Sequence, residues 1–321
     1  SALHALLLAH GIKKGDEVIV PSFTFISTAN AALFIGARPV FADIEDLTLG
    51  LDPEDVERKI TPKTRAIIPV HYAGCPCRIG ELKKIANKHG LYLVEDAAES
   101  FGAMAGGKRV GSFGHSAMMS FCQNKIITTG EGGAAVTNTR EVYEKIKLIR
   151  SHGRVENRGY FSSVEDPAYV DLGYNFRMPS FVAALGLAQL KKINKIIGMR
   201  RANAAYLTAK LSAVEEIAAP AEPEKCFSVY QLYTVRARGR RDELMRYLAE
   251  KGIMTKIYFT PVHHSFFYKN KLNIKDRLPV TEEISKQVLS LPMYPALKKK
   301  EMDYMAKMIK NFFKIKGGRG G

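Results

Sequence analysis

The sequence has few cysteines and no long apolar run. Four cysteines in 321 residues are too few and too scattered for a disulfide framework, so we expect a reducing, cytoplasmic location. Cys75 and Cys77 form an isolated C-x-C; because zinc would require a second pair at metal spacing, we predict no metal site. No run of about 18 uninterrupted apolar residues occurs, which argues against a membrane partner.

Acidic residues are also scarce relative to basic ones. Lys and Arg number 48 against 32 Asp and Glu, a formal net charge of +16. Such a balance suits anionic partners, nucleic acid among them. The basic residues are nevertheless spread through helical segments such as 191–201, and no aromatic–basic RNA-binding signature accompanies them. We therefore predict a lysine-rich solvated surface and no nucleic-acid partner, with attraction for a small anionic substrate as a compatible property.

The first residues, SALHALLLAH, read as an apolar helix that begins at Ser1 without Met. They lack the basic-then-apolar order of a signal segment, and we expect the native N-terminus to lie upstream of residue 1.

The first 140 residues alternate between strand-like and helix-like segments. Strands rich in β-branched residues are predicted at 16–23, 38–44, 64–74, 91–97, 116–122 and 133–138. Helices are predicted between the first four of these strands, at 28–37, 52–60 and 80–90. This alternation predicts an α/β fold with a mostly parallel central sheet flanked by helices. Ligands in such folds bind beyond the carboxyl ends of the strands.

The second half changes character. Apolar residues at helical spacing predict one long helical stretch over 179–211, and 220–225 reads as a linker. Strands at 227–237 and 253–259, a helix at 242–252 and two further helices follow. We predict a large domain over residues 1–200 and a small C-terminal α+β domain over residues 201–321.

Lys125 is the first candidate for chemistry. It lies in SFCQNKIITTGEGG, where a strand ends in a serine, a lysine and a Gly-rich loop. A lysine desolvated at the end of a buried strand becomes nucleophilic and can form a Schiff base. The plainer interpretation is a solvated lysine beside a tight turn, and this motif alone does not decide between them.

Asp96 is the second candidate. In VEDAAES, Glu95 and Asp96 stand where a hydrophobic strand ends. A carboxylate at that position can hold a cationic ring nitrogen, which pyridoxal phosphate enzymes require because the protonated ring withdraws electrons. The alternative is that Asp96 caps the next helix.

The two motifs occur together in a sequence that resembles the DegT/DnrJ/EryC1/StrS family of sugar aminotransferases nearly from end to end. The matching stretches are 15–33, 38–44, 66–74, 94–103, 110–114, 120–138, 172–190 and 289–297. The resemblance implies the type I fold of pyridoxal-phosphate-dependent transferases. It also implies pyridoxal 5′-phosphate as cofactor, with pyridoxamine 5′-phosphate as the intermediate form, Lys125 as the catalytic lysine that carries it, and Asp96 as the partner of its ring nitrogen.

Further roles follow from the resemblance. Ser120 corresponds to the side-chain donor to the cofactor phosphate, and Phe25 and Ala98 correspond to the residues on either face of the pyridine ring. Asn175 corresponds to the asparagine that reaches the phosphate of the neighbouring subunit's cofactor. The resemblance therefore implies a homodimer with shared active sites.

The sequence departs from the family at two positions. Glu99 stands where Gln or His often contacts the ring hydroxyl, and a carboxylate there would repel the phenolate unless it is protonated or turned away. The Gly-Thr pair of the family's phosphate cradle would precede residue 1, which leaves the backbone amide of Ser1 as the only match to the helix N-terminus that binds phosphate.

The family also contains dehydratases with histidine in place of the lysine, so Lys125 indicates transamination. The resemblance implies transfer of an amino group from L-glutamate to a nucleotide-linked sugar, a 4-keto-6-deoxyhexose or a 3-keto sugar, in amino-sugar synthesis for surface polysaccharides, glycans or secondary metabolites. His152, Arg177, Tyr258 and His263 stand where the family lines its sugar-nucleotide pocket. Two alternatives stay open: an enzyme acting on a small amino acid, which would need a fixed arginine for the α-carboxylate, and a regulatory protein that retains the fold.

Overall fold

The computed structural model describes residues 1–155 and 168–317. Its strands are β1 Glu17–Pro21, β2 Arg38–Ala42, β3 Thr64–Ile67, β4 Tyr92–Asp96, β5 Met104–Ala105, β6 Lys108–Arg109, β7 Ser116–Ser120, β8 Gly133–Thr137, β9 Ile217–Ala218, β10 Cys226–Phe227, β11 Tyr233–Ala237 and β12 Val288–Leu291. Six of them form the central sheet in the order β2-β1-β3-β4-β7-β8. Every neighbouring pair is parallel except β7 and β8, which confirms the predicted mostly parallel sheet.

Helices connect and cover these strands. They are α1 Ala2–Ala9, α2 Ser27–Phe34, α3 Pro53–Arg58, α4 Ile79–His89, α5 Arg140–Arg150, α6 Ser180–Leu190, α7 Ile193–Leu211, α8 Arg241–Glu250, α9 Pro279–Ser285 and α10 Lys299–Gly317. Local sequence sets several of their ends. The side chain of Asp52 caps α3 by accepting the amide of Glu54 at 3.1 Å, while Gly90 ends α4 in the left-handed conformation that glycine adopts without steric cost.

The central sheet is buried on both faces because its side chains alternate between two cores. In β1, Val18 and Val20 pack in the core that contains α1 and α2, and Ile19 packs in the core that contains α4. All three are fully buried, and each contributes roughly 1.5–3 kcal/mol through burial. The sheet is thereby fixed in place, and the carboxyl ends of its parallel strands form one rigid edge.

A further core, separate from the two that cover the central sheet, lies in the C-terminal part of the chain. β11 pairs antiparallel with β9 and β12, and α7, α8 and α10 contribute apolar side chains to the same cluster. Val262, Tyr268 and Leu278, however, pack into the core of α1 and α2. The domain boundary near residue 200 stays a prediction.

Three details differ from the sequence-based expectations. The stretch 179–211, predicted as one long helical stretch, forms two helices, α6 and α7. They are separated by Lys191 and Lys192, neither of which is the Gly or Pro that usually interrupts a helix. Segment 253–259 is not a strand; it makes one isolated bridge, between Lys256 and Ser290. β12, which supplies that serine, was not predicted. None of the helices described combines the length and the apolar character that a bilayer crossing requires.

Candidate active site

Asp96 lies at the carboxyl end of β4 and is held by two hydrogen bonds. Its Oδ2 accepts the hydroxyl of Thr28, at the start of α2, at 2.8 Å, and its Oδ1 accepts the amide of Ala98 at 3.1 Å. The residue is only 5% exposed. These bonds fix the carboxylate at the edge where strands β1 and β4 end. Thr28 was missed in the sequence because its distance along the chain gives no sign of this contact.

The neighbouring Glu95 serves a different part of the structure. Its two oxygens accept the amides of Gly111, Phe113 and Gly114 at 2.7 Å, and Oε2 accepts Nε2–H of the buried His71 at 3.1 Å. Because successive strand residues face opposite sides of a sheet, Glu95 and Asp96 are separated. Of these two residues, only Asp96 can contact a ligand at the carboxyl ends of the parallel strands.

Lys125 lies in the loop that follows β7. Its Nζ is 3.3 Å from Oε1 of Glu99, and the two side chains are 14% and 7% exposed. Oε2 of Glu99 accepts the amide of Ala73 at 2.9 Å. The departure from the family at position 99 therefore puts a carboxylate beside the lysine amine.

Ser120 is the last residue of β7, two positions beyond Met118, which pairs with Asp96. Its Oγ accepts the amide of Cys122 at 3.3 Å, so its hydroxyl proton is available to a ligand. Ser120 also pairs with Gly133, where an added Cβ would lie 3.9 Å from the Cβ of Ala2. The exposed Ser1 and the N-terminus of α1 thus lie at the same edge as Ser120, an arrangement that suits a phosphate group.

Phe25 and Ala98 follow the ends of β1 and β4. The Phe25 side chain is 59% exposed, with its ring centroid 6.1 Å from that of Phe259. An exposed aromatic ring, a lysine amine, a fixed carboxylate and a phosphate-suited helix N-terminus, all at or just beyond the carboxyl ends of β1, β4 and β7, match the parts of pyridoxal phosphate. The residues present therefore fit that cofactor.

A separate surface segment holds three other predicted residues. Asn175 bridges to Ser151, and Nη1 of Arg177 donates to the Ser151 hydroxyl at 3.3 Å. The amide of His152 donates to the carbonyl of Tyr174 at 2.9 Å, and its backbone is left-handed, with φ of 62°. Asn175, Arg177 and His152 are exposed and lie together beside the start of α6.

The remaining two predicted residues are placed differently from each other. Tyr258 lines a cleft of about 340 Å³ that also includes Asn124, the neighbour of Lys125. His263 is 2% exposed, with Nδ1 2.6 Å from the hydroxyl oxygen of Ser22, and burial lowers its pKa. The structure thus brings Tyr258 next to the lysine loop and puts His263 in the protein interior.

Comparison of the sequence and structure with those of known proteins identifies the family of the chain. The model of the DegT/DnrJ/EryC1/StrS aminotransferase family matches residues 1–310. The chain belongs to this family. The predicted class of enzyme, a pyridoxal-phosphate-dependent transaminase, is therefore confirmed.

Individual relatives agree with this assignment. The chain is 36% identical over 317 residues to the GDP-perosamine synthase of Escherichia coli O157:H7. This match covers 98% of this chain and 84% of that protein. It is 38% identical to the "Pleiotropic regulatory protein" of Geobacillus stearothermophilus, over 98% of this chain and 82% of that protein. DesV of S. venezuelae, solved in complex with a ketimine intermediate, superposes with a TM-score of 0.90 at 35% identity and covers 97% of this chain and 82% of its own.

Proposed function

We propose that this protein transfers an amino group from L-glutamate to the keto group of a nucleotide-linked sugar, a 4-keto-6-deoxyhexose, as a cytoplasmic step in amino-sugar synthesis. The observation that carries the proposal is the convergence of Lys125, Asp96 and Ser120 at one edge of the sheet in a member of this family. Similarity to GDP-perosamine synthase supports a sugar as the amino acceptor.

Each residue has a defined task in this reaction. When bound, pyridoxal phosphate supplies an aldehyde that exchanges amines and a ring that withdraws electrons, with pyridoxamine phosphate as the amine-carrying form. Lys125 would hold the cofactor in the resting enzyme and would serve as the general base and acid that moves a proton between the donor Cα and the cofactor C4′. Asp96 keeps the ring nitrogen protonated, and Ser120 with the N-terminus of α1 binds the phosphate. Phe25 and Ala98 enclose the ring.

Glu99 has a role that its position defines. Its carboxylate lies beside the Lys125 amine, so it holds that amine in place when the lysine is not attached to the cofactor. Because Ala73 fixes the other carboxylate oxygen, Glu99 stays turned toward the lysine. This arrangement limits the repulsion between Glu99 and the ring hydroxyl of the cofactor.

The active unit in this proposal is a homodimer. α6 is apolar around its circumference, yet none of its residues is buried in the single chain; Phe181 is 78% exposed and Leu187 64%. A helix that is hydrophobic on all sides is normally enclosed by protein. A second copy would cover α6 and bring its Asn175, with His152 and Arg177 nearby, toward the partner's cofactor and sugar.

The first test measures cofactor attachment. Purified protein with added pyridoxal phosphate should show the absorbance band of the lysine-bound cofactor, and borohydride should then fix the cofactor covalently. Lys125→Ala should show neither, while Lys108→Ala, which removes an exposed lysine of β6, serves as the control. Equal labelling of the Lys125→Ala variant would refute the assignment.

The second test identifies the substrate. A panel of 4-keto and 3-keto sugar nucleotides is incubated with L-glutamate, and release of 2-oxoglutarate is followed. Turnover of small keto acids instead of keto sugars would favour an enzyme of amino acids. The 38% identical regulatory protein makes a regulatory function the other candidate, which would be favoured if cofactor binds and no amino acceptor supports turnover.

A further inference from the structure

Arg200 is a buried cation without an anionic partner. It lies in α7 and is 5% exposed, and its Nη1 donates to the carbonyls of Tyr230, Gln231 and Met293 at 3.1–3.2 Å. No carboxylate among the described residues pairs with it, and burial lowers its pKa to about 10. Charged side chains are rarely buried without a counter-charge, because desolvation of the ion is then uncompensated.

Arg200 is one of three residues in the same cleft with an unsatisfied polar atom. Nε of Arg200, Oε1 of Gln231 and Oγ1 of Thr255 are all buried without a hydrogen-bond partner among the described residues. All three side chains line the cleft of about 340 Å³ that includes Tyr258. Buried polar atoms in proteins are nearly always hydrogen-bonded, so three exceptions in one cleft wall indicate a bound polar ligand.

The cleft is connected directly to the catalytic loop. Nε2 of Gln231 donates to the carbonyl of Asn124 at 2.5 Å, and Asn124 precedes Lys125 in the chain. The exposed Lys256 also lines the cleft, 5.2 Å from the centre of the Tyr258 ring. A ligand in this cleft would therefore lie against the segment that carries the reactive amine, with one cation at depth and a second at the mouth.

The size and chemistry of the cleft favour an amino acid over a nucleotide sugar. A volume of about 340 Å³ is at the low end of ligand pockets, which span roughly 300–1,000 Å³. The unsatisfied groups are the Nε–H of the Arg200 guanidinium and the Thr255 hydroxyl, which suit a carboxylate, and the Gln231 amide oxygen, which suits an ammonium group. Both ligand groups occur together in an α-amino acid.

We propose that this cleft is the binding site of the amino donor, with Arg200 and Thr255 binding one carboxylate and Lys256 the second carboxylate of a dicarboxylic amino acid. The inference rests on the proposed aminotransferase function and assigns a donor-specificity role to residues outside the cofactor site. The donor enters after side-chain rotation at the cleft wall, because the three unsatisfied atoms are buried.

The test uses glutarate, a dicarboxylate that lacks the amine and cannot react. Its affinity for the cofactor-loaded enzyme is measured by titration calorimetry. Arg200→Gln should weaken glutarate binding on the order of 10- to 100-fold, as expected for loss of hydrogen bonds to a charged group. Arg200→Lys should restore part of the affinity. Lys256→Gln should weaken binding of glutarate but leave that of the monocarboxylate butyrate unchanged.

Two controls keep the result interpretable. Arg201→Gln removes the same charge from the adjacent residue, which pairs with Glu222, and should leave glutarate affinity unchanged. Thr255→Val removes only one hydroxyl and tests the site if Arg200→Gln fails to fold; it should weaken binding several-fold.

Kinetics provide a second readout. In Arg200→Lys, KM for L-glutamate should rise while the rate of cofactor loading stays unchanged. The inference is wrong if glutarate binds equally to wild type, Arg200→Gln and Thr255→Val, or if Arg200→Gln weakens binding of GDP and not of glutarate. Absence of the cofactor band in wild type would instead refute the proposed function, and glutarate affinity would then be measured on the cofactor-free protein.

Discussion

The amine of Lys125 and the carboxylate of Glu99 are 3.3 Å apart and nearly shielded from solvent. This contact has to break before the amine can attack an aldehyde, so the carboxylate slows that step. The same carboxylate keeps the amine close to where it is needed. The contact between Glu99 and Lys125 therefore slows attachment of the cofactor but keeps the amine in position.

Glu99→Gln tests this relationship. The substitution removes the negative charge and retains the side-chain length, so we expect pyridoxal phosphate to attach to Lys125 faster, by roughly three- to tenfold, the effect of about 1 kcal/mol. Stopped-flow absorbance after mixing apoenzyme with cofactor measures the rate. Glu131→Gln, in the same loop, is the control, and an unchanged or slower rate in Glu99→Gln would contradict the prediction.

Asp96→Asn should reduce kcat by about 10²- to 10³-fold, the usual cost of removing one preorganised electrostatic partner. The amide cannot keep the ring nitrogen protonated, although it preserves shape. Thr28→Val removes the hydroxyl that holds Asp96 and should cost about 1 kcal/mol, or roughly fivefold in kcat. Steady-state kinetics at saturating cofactor separate the two effects, and equal losses in both variants would be inconsistent with these roles.

Ser120→Ala should weaken binding of pyridoxal phosphate by about tenfold or more, because a hydrogen bond to a charged phosphate is lost. At saturating cofactor, kcat should stay close to the wild-type value. Fluorescence titration of the apoenzyme gives Kd, and Ser112→Ala, at a half-buried serine that donates to the carbonyl of Arg109, is the matched control. A large fall in kcat without a change in Kd would argue against a phosphate-binding role.

Leu187→Lys should dissociate the proposed dimer, since it puts a charge on the apolar surface of α6. Sedimentation velocity should show monomers, and activity should fall with the dimer fraction. Lys195→Glu, in α7, tests whether a charge change by itself has this effect. Wild-type protein that sediments as a monomer would remove the basis for the shared site.

His10 should make stability depend on pH. Its Nε2 lies 2.8 Å from the Ser116 hydroxyl oxygen, and burial, with help from nearby His115 and Lys145, lowers its pKa to about 4. The unfolded state binds a proton near pH 6.5 and the folded state does not, so stability is complete above that pH and falls as pH decreases toward 4. The loss is on the order of 3 kcal/mol at pH 4, of which about 2 kcal/mol is present at pH 5. Urea denaturation at pH 5 and 7.5 measures it, and His10→Gln should reduce the difference.

Much of the fold could be predicted from local sequence. Strands β1 to β4 are short buried runs with clear turn or helix signals between them, and the end of β4 locates Asp96. The break between α6 and α7 carries no Gly or Pro signal. The strand expected at 253–259 does not form: among the described residues, this segment makes one isolated bridge, between Lys256 and Ser290.

The site contacts that were missed are long-range. Thr28, at the start of α2, contacts Asp96 at the end of β4, and Glu99, which follows β4, contacts Lys125 in the loop after β7. The absence of a carboxylate partner for Arg200 among the described residues could not be inferred either. The sequence does not show which basic side chains lie near an acidic one in the folded chain. Such features depend on packing between segments far apart in the chain.

The opposite orientation of Glu95 and Asp96 sets a limit on how this enzyme can be re-engineered. One residue supports the loop at 111–114 and the next serves the ligand edge. A one-residue insertion or deletion within β4 would exchange the two faces and remove both functions together. Libraries that seek new specificity should therefore keep the length of β4 constant and vary the loops and the wall of the cleft.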